Sequence, residues 1–259
     1  MRIFWQSFVD PVTGADYLRR LTEYLNGIAA PGTEVVVEGM TPPDRDFGRL
    51  AEFRCAMQAI DRALRLEDGY DAYVMGHFQD PGLYEIRSAL DIPVVGTGEA
   101  TMLQASTLGR RLGVITLAPE FEIWHREQAD LYGLGTRLVA VTSLESNPQE
   151  FNASFAGDET VKASLLARIQ AAGEKLVAQG ADVIVAGGVL PGLFVADFPG
   201  LTVGTAPVVN CASVALKSAE MWAQLKKLDG VGPSRGACFA QPKGQAQQDF
   251  LALMPATTK

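Results

Sequence analysis

Short apolar runs recur along most of the chain, and longer stretches with helical spacing separate many of them. Ile3–Phe8, Glu34–Val37, Ala72–Met75 and Pro93–Val95 read as strands in the first half, and Leu112–Leu117, Arg137–Val141 and Asp182–Ala186 in the second. Asp16–Leu25 reads as a helix with Leu18, Leu21, Tyr24 and Leu25 on one face. Arg49–Leu66 is a second helix, stopped by Asp68-Gly69, and Val161–Ala178 and Ala212–Leu228 are two more. Strands joined through helices run parallel, so the expected class is α/β, with helices covering parallel sheets. Ligands in such folds bind beyond the C-terminal strand ends. The residues just after each strand are therefore the ones to inspect.

A chain of 259 residues can build one large α/β domain or two small lobes. With 47% hydrophobic and 20% charged residues it has the balance of a globular protein. A net charge of -8 disfavours a phosphate backbone, so no nucleic-acid partner is expected. A local group of backbone N–H donors can still hold a carboxylate. Cys55, Cys211 and Cys238 are odd in number and widely spaced, which points to neither a disulfide framework nor a zinc site. Met1–Phe8 soon meets Asp10 and lacks the flanks of a signal peptide. No stretch approaches the roughly 20 apolar residues of a membrane span, so a cytoplasmic protein is expected. Residues 229–259 have no clear period and read as a loop-rich arm or partly disordered tail. Its Phe250, Leu251, Leu253 and Met254 offer apolar surface to the body or to a second subunit.

An internal repeat narrows the search. Residues 74–83 read Val-Met-Gly-His-Phe-Gln-Asp-Pro-Gly-Leu, and residues 185–193 read Val-Ala-Gly-Gly-Val-Leu-Pro-Gly-Leu. With one gap they match at Val, Gly and Pro-Gly-Leu, and His77 falls opposite Gly188. Further on, Asp91-Ile92-Pro93-Val94-Val95 echoes Thr205-Ala206-Pro207-Val208-Val209, each ahead of a helix. Chance likeness between strand–turn–helix units competes with this reading, but the preserved order of two matched pieces favours a duplication.

The motifs Asp80-Pro81-Gly82-Leu83, Asp91–Ala100 and Leu108–Thr116 resemble the aspartate/glutamate/hydantoin racemase superfamily, most closely its hydantoin racemase branch. Gly180–Val185 and Pro207-Val208-Val209 continue the likeness, which runs from the first strand to about Leu225. The resemblance implies two pseudosymmetric lobes, each a parallel sheet flanked by helices, with an active-site cleft between them. It places a first lobe at 1–108 plus 206–228, a second at 109–205, and an arm at 229–259. It implies no cofactor and, together with the apolar tail residues, a homo-oligomer; no metal is expected. In that family a cysteine follows a strand in each lobe, and the pair flanks the acidic carbon of the substrate. The matching positions here are His77 and Gly188, so both thiols are replaced. The family's Asn-Pro-Asn-Thr-like turn after the first strand is also absent, reading Trp5-Gln6-Ser7-Phe8.

His77 is the leading catalytic candidate, because imidazole serves as acid or base near neutral pH. A lone histidine more often shapes its own turn; the repeat position tips the balance. Gly188 has no acid or base, yet Gly187-Gly188 lets a backbone approach a ligand or donate N–H groups, or simply makes a turn of positive φ. Val189 follows in the same turn. Thr97, Gly98 and Glu99 lie between a strand and a helix, where backbone amides are candidates to bind a carboxylate, although a residue such as Glu99 more often caps its helix. Ser7 and Thr116 end strands and offer hydroxyls, while Gln79 and Asp80 either orient His77 or form the Asp-Pro-Gly turn. Cys211 opens the last strong helix, where a thiol pKa falls, but a small buried residue is the plainer reading. His125 reads as structural.

One base without a partner points to cofactor-independent proton transfer at a carbon next to a carbonyl or carboxylate. The expected partners are small carboxylate, amino-acid-like or hydantoin-like molecules. A decarboxylase with a single acid, a hydrolase, and a binding protein without turnover remain the alternatives.

Overall fold

The computed structural model describes residues 1–45 and 47–254. The chain forms two compact units. The first holds Met1–Met75, Pro81–Val95 and Lys217 onward; the second holds Gly76–Asp80 and Gly96–Leu216.

In the first unit, β1 (Arg2–Gln6), β2 (Glu34–Glu38), β3 (Ala72–Met75) and β4 (Val94–Gly96) form a sheet in the order β2-β1-β3-β4. β1 runs parallel to both neighbours, with Phe4 opposite Val36 and Tyr73. Helix α1 (Ala15–Ile28) buries Tyr17, Leu21 and Leu25, spaced four apart along one face. Helix α2 (Arg49–Leu64) buries Cys55, Ala56, Ala59 and Ala63, and small residues there let it lie close against its neighbours. Helix α3 (Leu83–Ala89) starts after Gly82, whose φ of 76° suits a residue without Cβ. Phe4, Tyr70, Tyr73, Met75, Leu83 and Ile86 make the core.

The second unit contains α4 (Thr97–Leu108), β5 (Leu112–Thr116), α5 (Glu120–Leu131) and β6 (Leu138–Ser143). Then come α6 (Pro148–Phe155), α7 (Glu159–Ala178), β7 (Val183–Gly187), α8 (Val189–Val195), β8 (Thr202–Val203) and β9 (Ala206–Asn210). The strand order is β6-β5-β7-β9-β8, parallel except for the β8–β9 pair. β5 and β7 are buried along their whole length, as central parallel strands should be. Asp158 caps α7 through the amides of Thr160 and Val161, and Asn147 caps α6 with Pro148 behind it. The last strong helix, α9 (Cys211–Asp229), divides between the units at Leu216.

The boundaries differ from those expected. α4 and the Gly76–Asp80 loop belong to the second unit, and so does 206–216, because β9 is hydrogen-bonded to β7 with Ile184 opposite Val208. The tail is anchored where it is described. Arg235 pairs with Asp91 at 2.8 Å, and the Phe239 ring meets Tyr84 on α3 at 5.7 Å. It ends in a short helix, α10 (Gln245–Leu253), with no buried residue; residues 255–259 lie outside the described part. The expected repeat is visible in element order. β3-α3-β4-α4 corresponds to β7-α8-β9-α9, with the short β8 inserted. The copies differ at the turn, since Pro81-Gly82 precedes α3 whereas Pro191-Gly192 lies inside α8.

Candidate active site

The C-terminal strand ends of the second unit lie level with one another. Thr116 of β5 is opposite Gly187 of β7, and Ala186 is opposite Asn210 of β9. The Gly76–Asp80 loop is seated on these ends. A Cβ on Gly187 would meet Val114 Cγ1 at 2.8 Å and the Phe78 ring at 3.3 Å, so a glycine is required for that approach. The Phe78 ring also stands edge-on to His125 at 4.9 Å. His77 and Gln79 flank Phe78 and are half-buried.

Beneath the loop runs a buried polar chain. The Asp80 carboxylate accepts from the amides of Gly98 (3.0 Å) and Glu99 (2.7 Å) and from the Tyr132 hydroxyl (2.7 Å). Gln128 Nε2 donates to the Phe78 carbonyl at 2.6 Å and lies 3.3 Å from Asp80 Oδ2. A carbonyl only accepts, so this contact fixes the amide and turns Gln128 Oε1 toward His125 Nδ1 at 3.0 Å. That nitrogen therefore carries the proton. His125 Nε2 then accepts from the Thr116 hydroxyl at 3.1 Å.

Burial sets the charge states. It pushes the Asp80 carboxyl up to about 7, while Tyr132 and the two amides pull down and the nearby Glu99 charge adds to the rise. Burial lowers His125 to about 4; the Gln128 bond opposes this and the charge of His77 adds to it. The second effect places His77 within electrostatic reach of His125. Burial also raises the Cys211 thiol to about 12, although it opens a helix, so Cys211 is not a thiolate. It donates to the Gly188 carbonyl at 3.1 Å instead.

These two shifts have opposite consequences for stability. The unfolded chain protonates His125 below about 6.5 but the folded chain only below about 4, so stability is lost as pH falls through that window. By the same linkage Asp80 keeps its proton longer when folded, and stability is lost as pH rises from 3.8 to about 7. Each contribution is on the order of 3 kcal/mol, and they largely cancel between pH 4 and 6.5. His125→Asn removes one of them. Urea midpoints of this variant should fall steadily from pH 4 to 7, against a flatter wild-type curve. Matching curves would show that His125 is not held neutral.

The structure brings most of the expected site residues into the second unit. Gly188 caps α8 with φ of 125°, a conformation side chains avoid, and Val189 behind it is buried. Thr97 and Thr116 are fully buried, and the Thr116 hydroxyl is spent on His125, which argues against a direct substrate contact. The amides of Gly98 and Glu99 do bind a carboxylate as expected, but it is the protein's own Asp80. Ser7 lies in the first unit, buried, with its amide on the Glu38 carbonyl. Among the described residues no three His, Cys, Asp or Glu side chains are grouped to hold a metal ion.

A family model described as Asp/Glu/Hydantoin racemase matches residues 8–219. The chain belongs to this racemase family. It is 33% identical over 85 residues to a hydantoin racemase of Pseudomonas sp. (strain NS671), covering 33% of this chain and 34% of that enzyme. It is 30% identical over 132 residues to a hydantoin racemase of Paenarthrobacter aurescens, covering 51% and 52%. The matched stretches thus span about half or less of these relatives. The allantoin racemase structure from Klebsiella pneumoniae superposes with a TM-score of 0.77 over 95% of both chains at 24% identity, a likeness of fold.

Two residues of this family member's site escaped the sequence reading. Gln128 and Tyr132 sit on and just after α5 at three and seven positions beyond His125. That spacing puts all three on one helix face, and a polar stripe at that spacing was the available signal.

Proposed function

We propose that this chain is a cofactor-independent isomerase that moves a proton at a carbon next to a carbonyl or carboxylate, with His77 as its acid–base group. The carrying observation is membership of the racemase family combined with imidazole at the turn where the family resemblance places a cysteine. A 5-substituted hydantoin, the ring class to which allantoin belongs, is the first substrate class; amino-acid-like carboxylates are the second. The half-buried position of His77, within a loop fixed by buried hydrogen bonds, suits a base that must meet a small molecule in one orientation. We further propose a cytoplasmic homo-oligomer. No helix among the described residues is long and apolar enough to cross a membrane, and Phe53, Ile123, Leu131 and Trp222 present apolar surface for a second copy.

One observation favours a lyase as the second reading. At Gly188 the φ of 125° and a Pro191 Cδ 3.1 Å from any added Cβ make a side chain costly, so no second thiol is readily accommodated there. Decarboxylation followed by protonation on one face needs only one acid. Incubation in D2O with 5-substituted hydantoins, amino acids and arylmalonates, followed by proton NMR, separates the readings. Deuterium entry at the acidic carbon without loss of CO2 supports the isomerase. Release of CO2 before deuterium entry supports the lyase. Tight ligand binding with neither change across the panel would overturn both.

A further inference from the structure

The His77 loop is held from below at two points by groups that no chemistry assigned so far uses. Gln128 Nε2 grips the Phe78 carbonyl at 2.6 Å, one residue beyond His77. Asp80, whose amide donates to the His77 carbonyl at 3.0 Å, is held in a left-handed conformation with φ of 53°. Aspartate enters this region more readily than most side chains, and outside support holds the turn there. Its carboxylate supplies that support by accepting from Gly98 and Glu99 of α4 and from Tyr132 beyond α5. Every hydrogen-bond partner of that carboxylate is a donor, with the Glu99 charge nearby; Gln128 is buried and Tyr132 partly so. We propose that Tyr132 and Gln128 are positioning residues that act through Asp80 and the Phe78 carbonyl to set where the His77 imidazole stands.

This inference rests on the reading of His77 as the acid–base group, but its test does not require that reading. The charged and titratable groups around the clamp are Glu99 on α4, Tyr132 and His125 on the α5 side, Cys211 at the start of α9, and His77 in the loop itself. When Asp80 takes a proton, an acceptor facing donors becomes a donor and the clamp loosens. Its state should therefore be read out at His77.

The chain has two histidines, so the Cε1–H NMR signals of the full-length protein comprise one from His77 and one from His125. His77→Ala assigns them. Tyr132→Phe removes one donor to Asp80, and thermal unfolding checks that the variant folds. The chemical shift of the His77 signal should change relative to wild type. If the D2O assay has found a substrate, kcat should fall about tenfold with KM within about twofold. Asp80→Asn keeps the shape, removes the charge, and should move the same signal; it serves if Tyr132→Phe does not fold. A folded variant whose His77 signal superposes on wild type overturns the proposal. If His77→Ala retains full turnover while Tyr132→Phe still moves the His77 signal, the clamp stands and the acid–base reading falls.

Discussion

Replacing His77 by alanine is expected to cut deuterium exchange at the substrate's acidic carbon by about 10²–10⁴-fold, the usual share of a positioned acid–base group. The fold should survive, since His77 is half-buried and lies in a loop after β3. The buried hydrogen bonds that seat this loop run through Phe78 and Asp80. Other nearby groups are poor substitutes. His125 is fully buried and held neutral, with both ring nitrogens engaged. The Cys211 thiol is pushed up to about 12 and bonded to the Gly188 carbonyl. Asp80 faces inward among its donors. A His77→Ala variant that exchanges at the wild-type rate would remove the imidazole from the mechanism.

Gly98→Ala should produce a large loss of stability in the second unit. Its Cβ would sit 2.1 Å from the Phe78 carbonyl oxygen, 2.4 Å from Gln128 Nε2 and 3.0 Å from Asp80 Oδ2. The first of these is backbone and cannot swing away. Relief requires α4 to withdraw from the loop, which breaks buried hydrogen bonds as well as packing. The cost is roughly 3–5 kcal/mol, read as a lower urea midpoint. Gly27→Ala is the matched control. Gly27 lies exposed within α1, and an added Cβ meets nothing within 4 Å. That change should be neutral or stabilising by about 0.5–1 kcal/mol. Equal behaviour of the two variants would mean that α4 does not meet the loop as described.

Much of the architecture was legible from spacing. The buried runs at 72–75, 112–116 and 183–187 are central parallel strands, and period-four apolar faces mark α1 and α2. Short helices were not legible, because the seven residues of α3 and α8 are too few to show a period. The unit boundary was misplaced for a different reason. β9 pairs with a strand about twenty residues upstream, and nothing local in Ala206–Asn210 reveals which neighbour it will choose. At the site, positive φ was one of two readings of the Gly187-Gly188 pair, and Gly188 adopts it. The partner of the Gly98 and Glu99 amides was not legible. It is a carboxylate eighteen residues upstream, brought there by the fold of the loop. Thr116 is the last residue of its strand and turns its hydroxyl inward to His125.

The central claim is a single imidazole base with no counterpart at Gly188. Stereochemistry in D2O tests it most directly. One enantiomer of a turned-over substrate is incubated to low conversion, and both the recovered enantiomer and its mirror image are analysed for deuterium. A single base that exchanges its proton with solvent returns deuterium to the face it left, and inversion additionally needs a proton from water on the opposite face, so deuterium should accumulate in the recovered starting enantiomer at least as fast as inversion occurs. Deuterium confined to the inverted product, with none in the recovered substrate, would demonstrate a second base on the opposite face and contradict the account.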